Sequence, residues 1–127
     1  MARPPTRPLG QLGEEIAARF LERRGFRILA RNLRSRLGEI DLVARDGPTL
    51  VFVEVKARRH RRGDPPQAAV DARKQARLAR LAIDYLAREW LGELACRFDV
   101  VAVSLEPGGA PRVEHFPGAF AADGWTG

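Results

Sequence analysis

The chain has 127 residues, 45% of them apolar, enough for one domain with a core and too few for two. No apolar run reaches the roughly 18 residues of a membrane span, and the net charge of +6 favours a polyanionic partner, nucleic acid ahead of an acidic membrane surface. A lone cysteine, Cys96, leaves no internal disulfide, and the basic, proline-rich residues 1–8 lack the apolar stretch of a signal peptide, so a cytoplasmic location is expected.

Residues 1–9 read as a flexible tail, 10–117 as the folded unit and 118–127 as a second tail. From residue 10 to about 25, Leu12, Ile16, Ala17, Phe20 and Leu21 form an apolar stripe, which predicts a helix stopped by Gly25. Glu14 lies at the edge of that stripe, either complementing the helix dipole or pointing toward the strands that follow. Residues 26–32 alternate as a first strand. Residues 31–36 then read as an arginine-rich connection in which Arg34 and Arg36 suit phosphate contact.

The stretch 38–56 is the centre of the chain. It reads as two apolar strands bearing acids where buried strands should carry none: Glu39 and Asp41 on the first, Glu54 on the second. Asp46, Gly47 and Pro48 supply the turn between them. If Arg45 pairs with Leu50 across a four-residue turn, Asp41 falls opposite Glu54 and Glu39 opposite Lys56. Opposed Cβ atoms sit about 4.5–5.5 Å apart, where like charges repel, so the two carboxylates need a cation. Lys56 shares the face of Glu54. Paired carboxylates beside a lysine suit Mg²⁺ or Mn²⁺, hard cations that prefer oxygen ligands. The competing arrangement is a salt-bridge cluster, Glu39 with Lys56 and Asp41 with an arginine.

Residues 58–66 form a dense basic run containing Arg58, Arg59, Arg61 and Arg62, either a phosphate contact beside the acids or a solvated loop. A long helix is predicted from 66 to about 91, with Leu78, Leu81, Ala82, Tyr85 and Leu86 inward and Arg73, Arg77, Arg80 and Arg88 on another face. Lys74 and Gln75 lie in its first half. Residues 97–105 read as a strand buried on both faces after a helical crossover, with Asp99 a structural acid. A turn over 107–111 leads to a short edge strand, 112–116, that carries His115. The order gives an α/β sandwich around a mixed sheet. Against 20 arginines the chain has two lysines, Lys56 and Lys74, which marks either as a place for a compact ammonium rather than a planar fork.

Gly13-Glu14, Asn32-Leu33-Arg34, Gly38-Glu39-Ile40-Asp41, Phe52-Val53-Glu54-Val55-Lys56, Arg73-Lys74-Gln75 and Arg97-Phe98-Asp99-Val100 together resemble the YraN-type family of bacterial endonuclease-like proteins. That family is similar to archaeal Holliday-junction resolvases of the PD-(D/E)XK nuclease superfamily. The resemblance spans residues 10 to 117. It implies a restriction-endonuclease-like three-layer sandwich, with a mixed central sheet of about five strands flanked by two main helices. It also implies Asp41 and Glu54 as metal ligands, Lys56 as the catalytic lysine and Glu14 as the first-helix acid completing a Mg²⁺ or Mn²⁺ site. Glu39 is an additional acid, and Ile40 stands where the superfamily has proline.

The expected activity is metal-dependent hydrolysis of phosphodiester bonds in DNA, ahead of RNA, with branched or junction structures as candidate substrates and a homodimer as the form suited to a symmetric one. Expected nucleic-acid contacts are Arg34, Arg36, Arg58, Arg59, Arg61, Arg62, Arg73, Lys74, Gln75 and Arg77. The alternative expectation is a non-catalytic nucleic-acid-binding module that keeps the nuclease fold.

Overall fold

In the computed structural model, residues 8–59, 69–89, 91 and 94–121 are described. Helix α1 (Leu9–Arg23) buries Gly13, Ala17, Ala18 and Leu21, a stripe of small residues at helical spacing. Of the stripe expected from the sequence, Ala17 and Leu21 are buried, whereas Leu12, Ile16 and Phe20 are only half-buried. The close approach to the sheet explains the difference: a Cβ on Gly13 would stand 2.4 Å from Cβ of Ala57. Gly25, at φ +92°, ends the helix in the left-handed region that glycine adopts without penalty.

Five strands follow the order β1 (Arg27–Ser35), β2 (Gly38–Asp46), β3 (Thr49–Arg59), β4 (Cys96–Leu105) and β5 (Arg112–Phe120), with α2 (Ala72–Arg88) between β3 and β4. They lie side by side in chain order, antiparallel except for the parallel pair β3 and β4 that α2 connects. The sheet is therefore mixed, as expected. α1 packs with Leu42, Val51, Val53, Val101 and Val103 on one face, and α2 packs with Ile40, Leu50, Phe52, Phe98 and Val100 on the other. The result is a three-layer α/β sandwich. No helix among the described residues is long and apolar enough to cross a membrane.

The boundaries differ from the sequence reading in four places. β1 continues to Ser35, so most of the supposed arginine-rich connection is an edge strand. It is irregular, with Asn32 at φ +51° and a register shift between Ile28 and Ala30. The β2–β3 turn holds two residues, Gly47 and Pro48, because Asp46 also pairs with Thr49; the register through Arg45 and Leu50 is the one expected. α2 starts at Ala72, where Asp71 caps it by accepting the Lys74 N–H at 2.8 Å; the predicted start at 66 lies outside the described residues. β5 runs past residue 116 through Pro117 to Phe120, whose ring stacks on Phe98 at 4.9 Å. Proline is tolerated there because β5 is an edge strand.

Asp99, fully buried on β4, fastens that edge. Arg97 donates to both of its oxygens at 2.8 and 3.0 Å, His115 Nε2 lies 2.7 Å away and the Gly118 N–H donates at 2.9 Å. These bonds hold its carboxyl below the ordinary range although burial alone would raise it. The structural role expected for Asp99 is the one observed, and it supplies His115 with a partner that no local pattern revealed. Arg97 also reaches Asp46 at 3.2 Å, tying β4 to the end of β2.

Candidate metal centre and its flanking lysines

Ile40 and Leu42, two residues apart, pack on opposite faces of the sheet, so the strand alternation breaks at Asp41. The paired ladder between β2 and β3 ends at Leu42 and Val53. Beyond it the Val55 N–H donates to Oδ2 of Asp41 at 2.7 Å. A side chain here takes the place of a strand partner, which keeps the buried amide satisfied and turns the carboxylate in between the strands. The expected face-to-face pairing of Asp41 with Glu54 and Glu39 with Lys56 is thus not formed as ladder pairs.

The break aims Asp41 at α1. Oxygens of Glu14, Glu39 and Asp41 lie within 4.8 Å of one another. Glu14 therefore points toward the strands, and its carboxylate is bonded to Asn32 as well as Asp41. The left-handed backbone of Asn32, a conformation that asparagine tolerates better than most residues, belongs to this contact point. Burial first, then the charge of Glu54 and that of Glu14, push the Asp41 carboxyl up to about 7. Burial and the charge of Glu39 also raise Glu14, against the bonds from Asp41 and Asn32. Both carboxyls of this pair are thus displaced toward the protonated form. Arg34 approaches the cluster from its exposed rim, with Nε 3.7 Å from Glu39.

Glu54 is 6% exposed on β3 and faces the α2 side. Nζ of Lys74 lies 2.6 Å from its Oε1. Lys56, two residues along the same face, donates from Nζ to the carbonyl of Ala69. Gln75 Nε2 donates to the adjoining carbonyl of Val70 at 2.7 Å, so a lysine on β3 and a glutamine on α2 hold the same approach to the helix. Glu54, Lys56, Arg58 and Lys74 line one cavity of about 430 Å³, together with Leu9 and Gly10 of α1 and Ser104 of β4.

Of the residues expected at the site, Glu14, Glu39 and Asp41 are brought together, Glu54 acts on Asp41 through its charge, and Lys56 lies beside Glu54 in the cavity. The competing salt-bridge cluster is not the one formed: Glu39 pairs with Arg34, and Lys56 bonds a carbonyl. Arg36, Arg59, Arg73 and Arg77 are exposed, whereas Arg58 is half-buried; Arg61 and Arg62 lie outside the described residues. Two partners were not assigned from sequence. Lys74 was placed among phosphate contacts and proves to be the ion-pair partner of Glu54, a place that its rarity in an arginine-rich chain did signal. Asn32 was given no role; nothing in its local pattern marks it as a partner of Glu14.

Residues 13–103 match the family described as "Uncharacterised protein family UPF0102". The UPF0102 protein of Symbiobacterium thermophilum is 55% identical over 117 residues, 92% of this chain and 99% of its own length. That of Syntrophotalea carbinolica is 52% identical over 92% of this chain and 94% of its own. That of Syntrophus aciditrophicus is 51% identical over 87% of each. The matched region takes in α1 from Gly13, the β2–β3 hairpin, α2 and most of β4, and on that extent and identity the chain belongs to the UPF0102 family.

Proposed function

We propose that the chain is a Mg²⁺- or Mn²⁺-dependent phosphodiesterase that cuts DNA as an endonuclease. The observation that carries this reading is the convergence of Glu14, Glu39 and Asp41 next to buried Glu54, with the Asp41 carboxyl driven to about 7. Charge crowding of this kind is unfavourable for folding and is common where a site is built for function. The donor set fits a hard divalent cation: every candidate ligand is a carboxylate oxygen, and no histidine or thiol is among them. A divalent ion held by Asp41, Glu14, Glu39 and Glu54 would lower the pKa of a bound water and offset charge on a phosphodiester.

The chain's own groups divide the remaining work. Asp41, anchored by the Val55 N–H, presents a fixed oxygen at the break in β2. Lys56 carries its ammonium into the cavity beside Glu54, where it can orient water or neutralise a phosphate oxygen. Lys74 holds the Glu54 carboxylate in place. The sequence resemblance to nucleases, with Asp41 followed by Glu54-Val55-Lys56 on a hairpin, supports DNA as substrate, branched structures included.

One observation favours a second reading. Oε1 of Glu54 is engaged by Lys74, an arrangement equally suited to a nucleic-acid-binding module without turnover. The two separate on a panel of duplex, single-stranded, flap and four-way-junction DNA with RNA counterparts, incubated with Mg²⁺, Mn²⁺ or EDTA. Wild type is expected to cut in metal only, and Asp41→Asn, which keeps an acceptor for Val55, to bind without cutting. Cleavage retained in the mutant, or wild-type binding with no cleavage in either metal, would overturn the nuclease reading.

A further inference from the structure

The arginines of α2 are distributed in a way that its fold does not explain. Arg73, Arg77 and Arg80 recur at i, i+4 and i+7, so they share one exposed helix face. None of the three pairs with an acid among the described residues, whereas Arg88 in the same helix is matched by Asp84 at 3.3 Å. Like charges at these spacings destabilise a helix. Arg73 moreover lies in the first turn of α2, where the helix dipole disfavours cations, with the capping Asp71 the acid at that end. The unfavourable charge is concentrated rather than scattered.

That face is also shaped. Arg73, Ala76, Arg77 and Arg80 border a groove of about 290 Å³ whose opposite wall is Leu37, a 45% exposed leucine at the β1–β2 turn. Arg77 is seated there by Gly38: a Cβ on Gly38 would lie 3.0 Å from Cδ of Arg77, so the missing side chain leaves room for its methylenes. Gly38 is at φ +135° and directly precedes Glu39 of the acidic cluster. The groove and the acidic cluster thus meet the same end of β2, the groove from the α2 side and Glu14 of the cluster from α1.

We propose that this groove is the track for the sugar–phosphate backbone of a nucleic-acid strand, with Arg73, Arg77 and Arg80 on phosphates of one strand and Leu37 against the sugar face. It rests on the phosphodiesterase reading only for where the strand leads. Seven residues of helix rise about 10 Å, about three phosphate steps at about 3.4 Å of duplex axis each, so the three arginines fall within a run of about four phosphates. Guanidinium groups suit this contact because their planar fork bonds phosphate oxygens in pairs.

The test is fluorescence anisotropy of labelled duplex DNA, with a duplex RNA arm, across a salt series in EDTA so that nothing is cut. Arg73→Gln/Arg80→Gln is compared with Arg19→Gln/Arg23→Gln, which removes the same charge from α1; Arg77 is left in place because it packs on Gly38. Loss of two phosphate contacts is expected to make the slope of log K against log salt shallower by about 1.8, at 0.9 per contact on B-form DNA. The α1 control should keep the wild-type slope, Arg73→Lys/Arg80→Lys should restore it, and Leu37→Ala should weaken binding at an unchanged slope. A wild-type slope in the α2 variant, an equal loss in the α1 control, or no binding by wild type would overturn the proposal. A groove-dependent slope without cleavage in Mg²⁺ or Mn²⁺ leaves the groove standing and removes the nuclease reading; cleavage with an unaltered slope does the reverse.

Discussion

Nζ of Lys74 on α2 stands 2.6 Å from Oε1 of Glu54 on β3, while Lys56, the other lysine of the chain, lines the same cavity and donates to the carbonyl of Ala69. Removing one partner of a buried ion pair leaves the other charge uncompensated, at about 3–5 kcal/mol when both are buried. The Lys74 side chain is 45% exposed, so solvent screening reduces the expected loss for Lys74→Met to about 1–3 kcal/mol. Glu54→Gln/Lys74→Met should recover most of it. Urea unfolding of the two single variants and the double variant measures the coupling; strictly additive losses would show that the two groups do not stabilise each other.

Asp41 gives a pH dependence of definite sign. Its carboxyl is raised from the ordinary 3.8 to about 7, so between those values the folded chain binds more protons than the unfolded one. Stability without metal should therefore fall as pH rises from 4 to 7 and level off above. Asp41→Asn should flatten that decline, as followed by melting temperature across the range. A wild-type profile that rises through this window would show that Asp41 is not the group in control.

Metal addition should act in the opposite direction. At pH 8, Mn²⁺ at a hundred times its dissociation constant should stabilise wild type by about 2.7 kcal/mol, and Asp41→Asn far less. Calorimetry in two buffers of different ionisation heat would detect the proton that Asp41 releases on binding below pH 7. No shift of the melting temperature by Mn²⁺ or Mg²⁺ would remove the metal centre from the account.

Gly13 tests how α1 delivers Glu14. Gly13→Ala puts a methyl 2.4 Å from the Ala57 Cβ, an overpacking expected to cost about 1–3 kcal/mol and to push Glu14 away from Asp41. Ala57→Gly in the same chain should relieve the contact. Denaturation reports the first effect and Mn²⁺ affinity the second; a variant with unchanged affinity would show that Glu14 does not need this close approach.

Asp99 should behave differently from the acids of the site. Asp99→Ala leaves Nε2 of buried His115 unpaired and Arg97 with Asp46 as its acidic partner, for a loss of about 3 kcal/mol. Because the Asp99 carboxyl is lowered from 3.8, its contribution is present above that value and lost as pH falls below it. Mn²⁺ affinity of the folded variant should match wild type, and a matching loss of metal binding would place Asp99 within the site instead.

What could be read from the sequence follows the range of each interaction. The β2–β3 register was legible because Asp46-Gly47-Pro48 marks the reversal and the apolar residues on both sides fix which pairs meet; a two-residue turn and a four-residue turn give the same partners. The break at Asp41 was not legible, since Ile40-Asp41-Leu42 reads as ordinary alternation. The buried face of α1 was legible at Ala17 and Leu21 but not at Gly13 and Ala18, which weigh little in a hydrophobic pattern although close helix–sheet contact selects small residues. β1 was cut short because arginines on an edge strand look like a loop. The pairing of Lys74 with Glu54 depends on where the crossover brings α2, which no local spacing encodes.

The single parallel pairing has a bearing on how the chain is made. Glu39, Asp41 and Glu54 lie in the local β1–β2–β3 meander and Glu14 in the helix just before it, but the other side of β3 waits for β4, whose pairing joins residues as distant as Leu50 and Cys96. Contacts of such separation form late. Until they do, β3 offers the unpaired apolar run Leu50-Val51-Phe52-Val53 to any neighbouring chain. Self-association during refolding should start from that strand, and dilution should raise the yield of native protein more than any change at the acidic site.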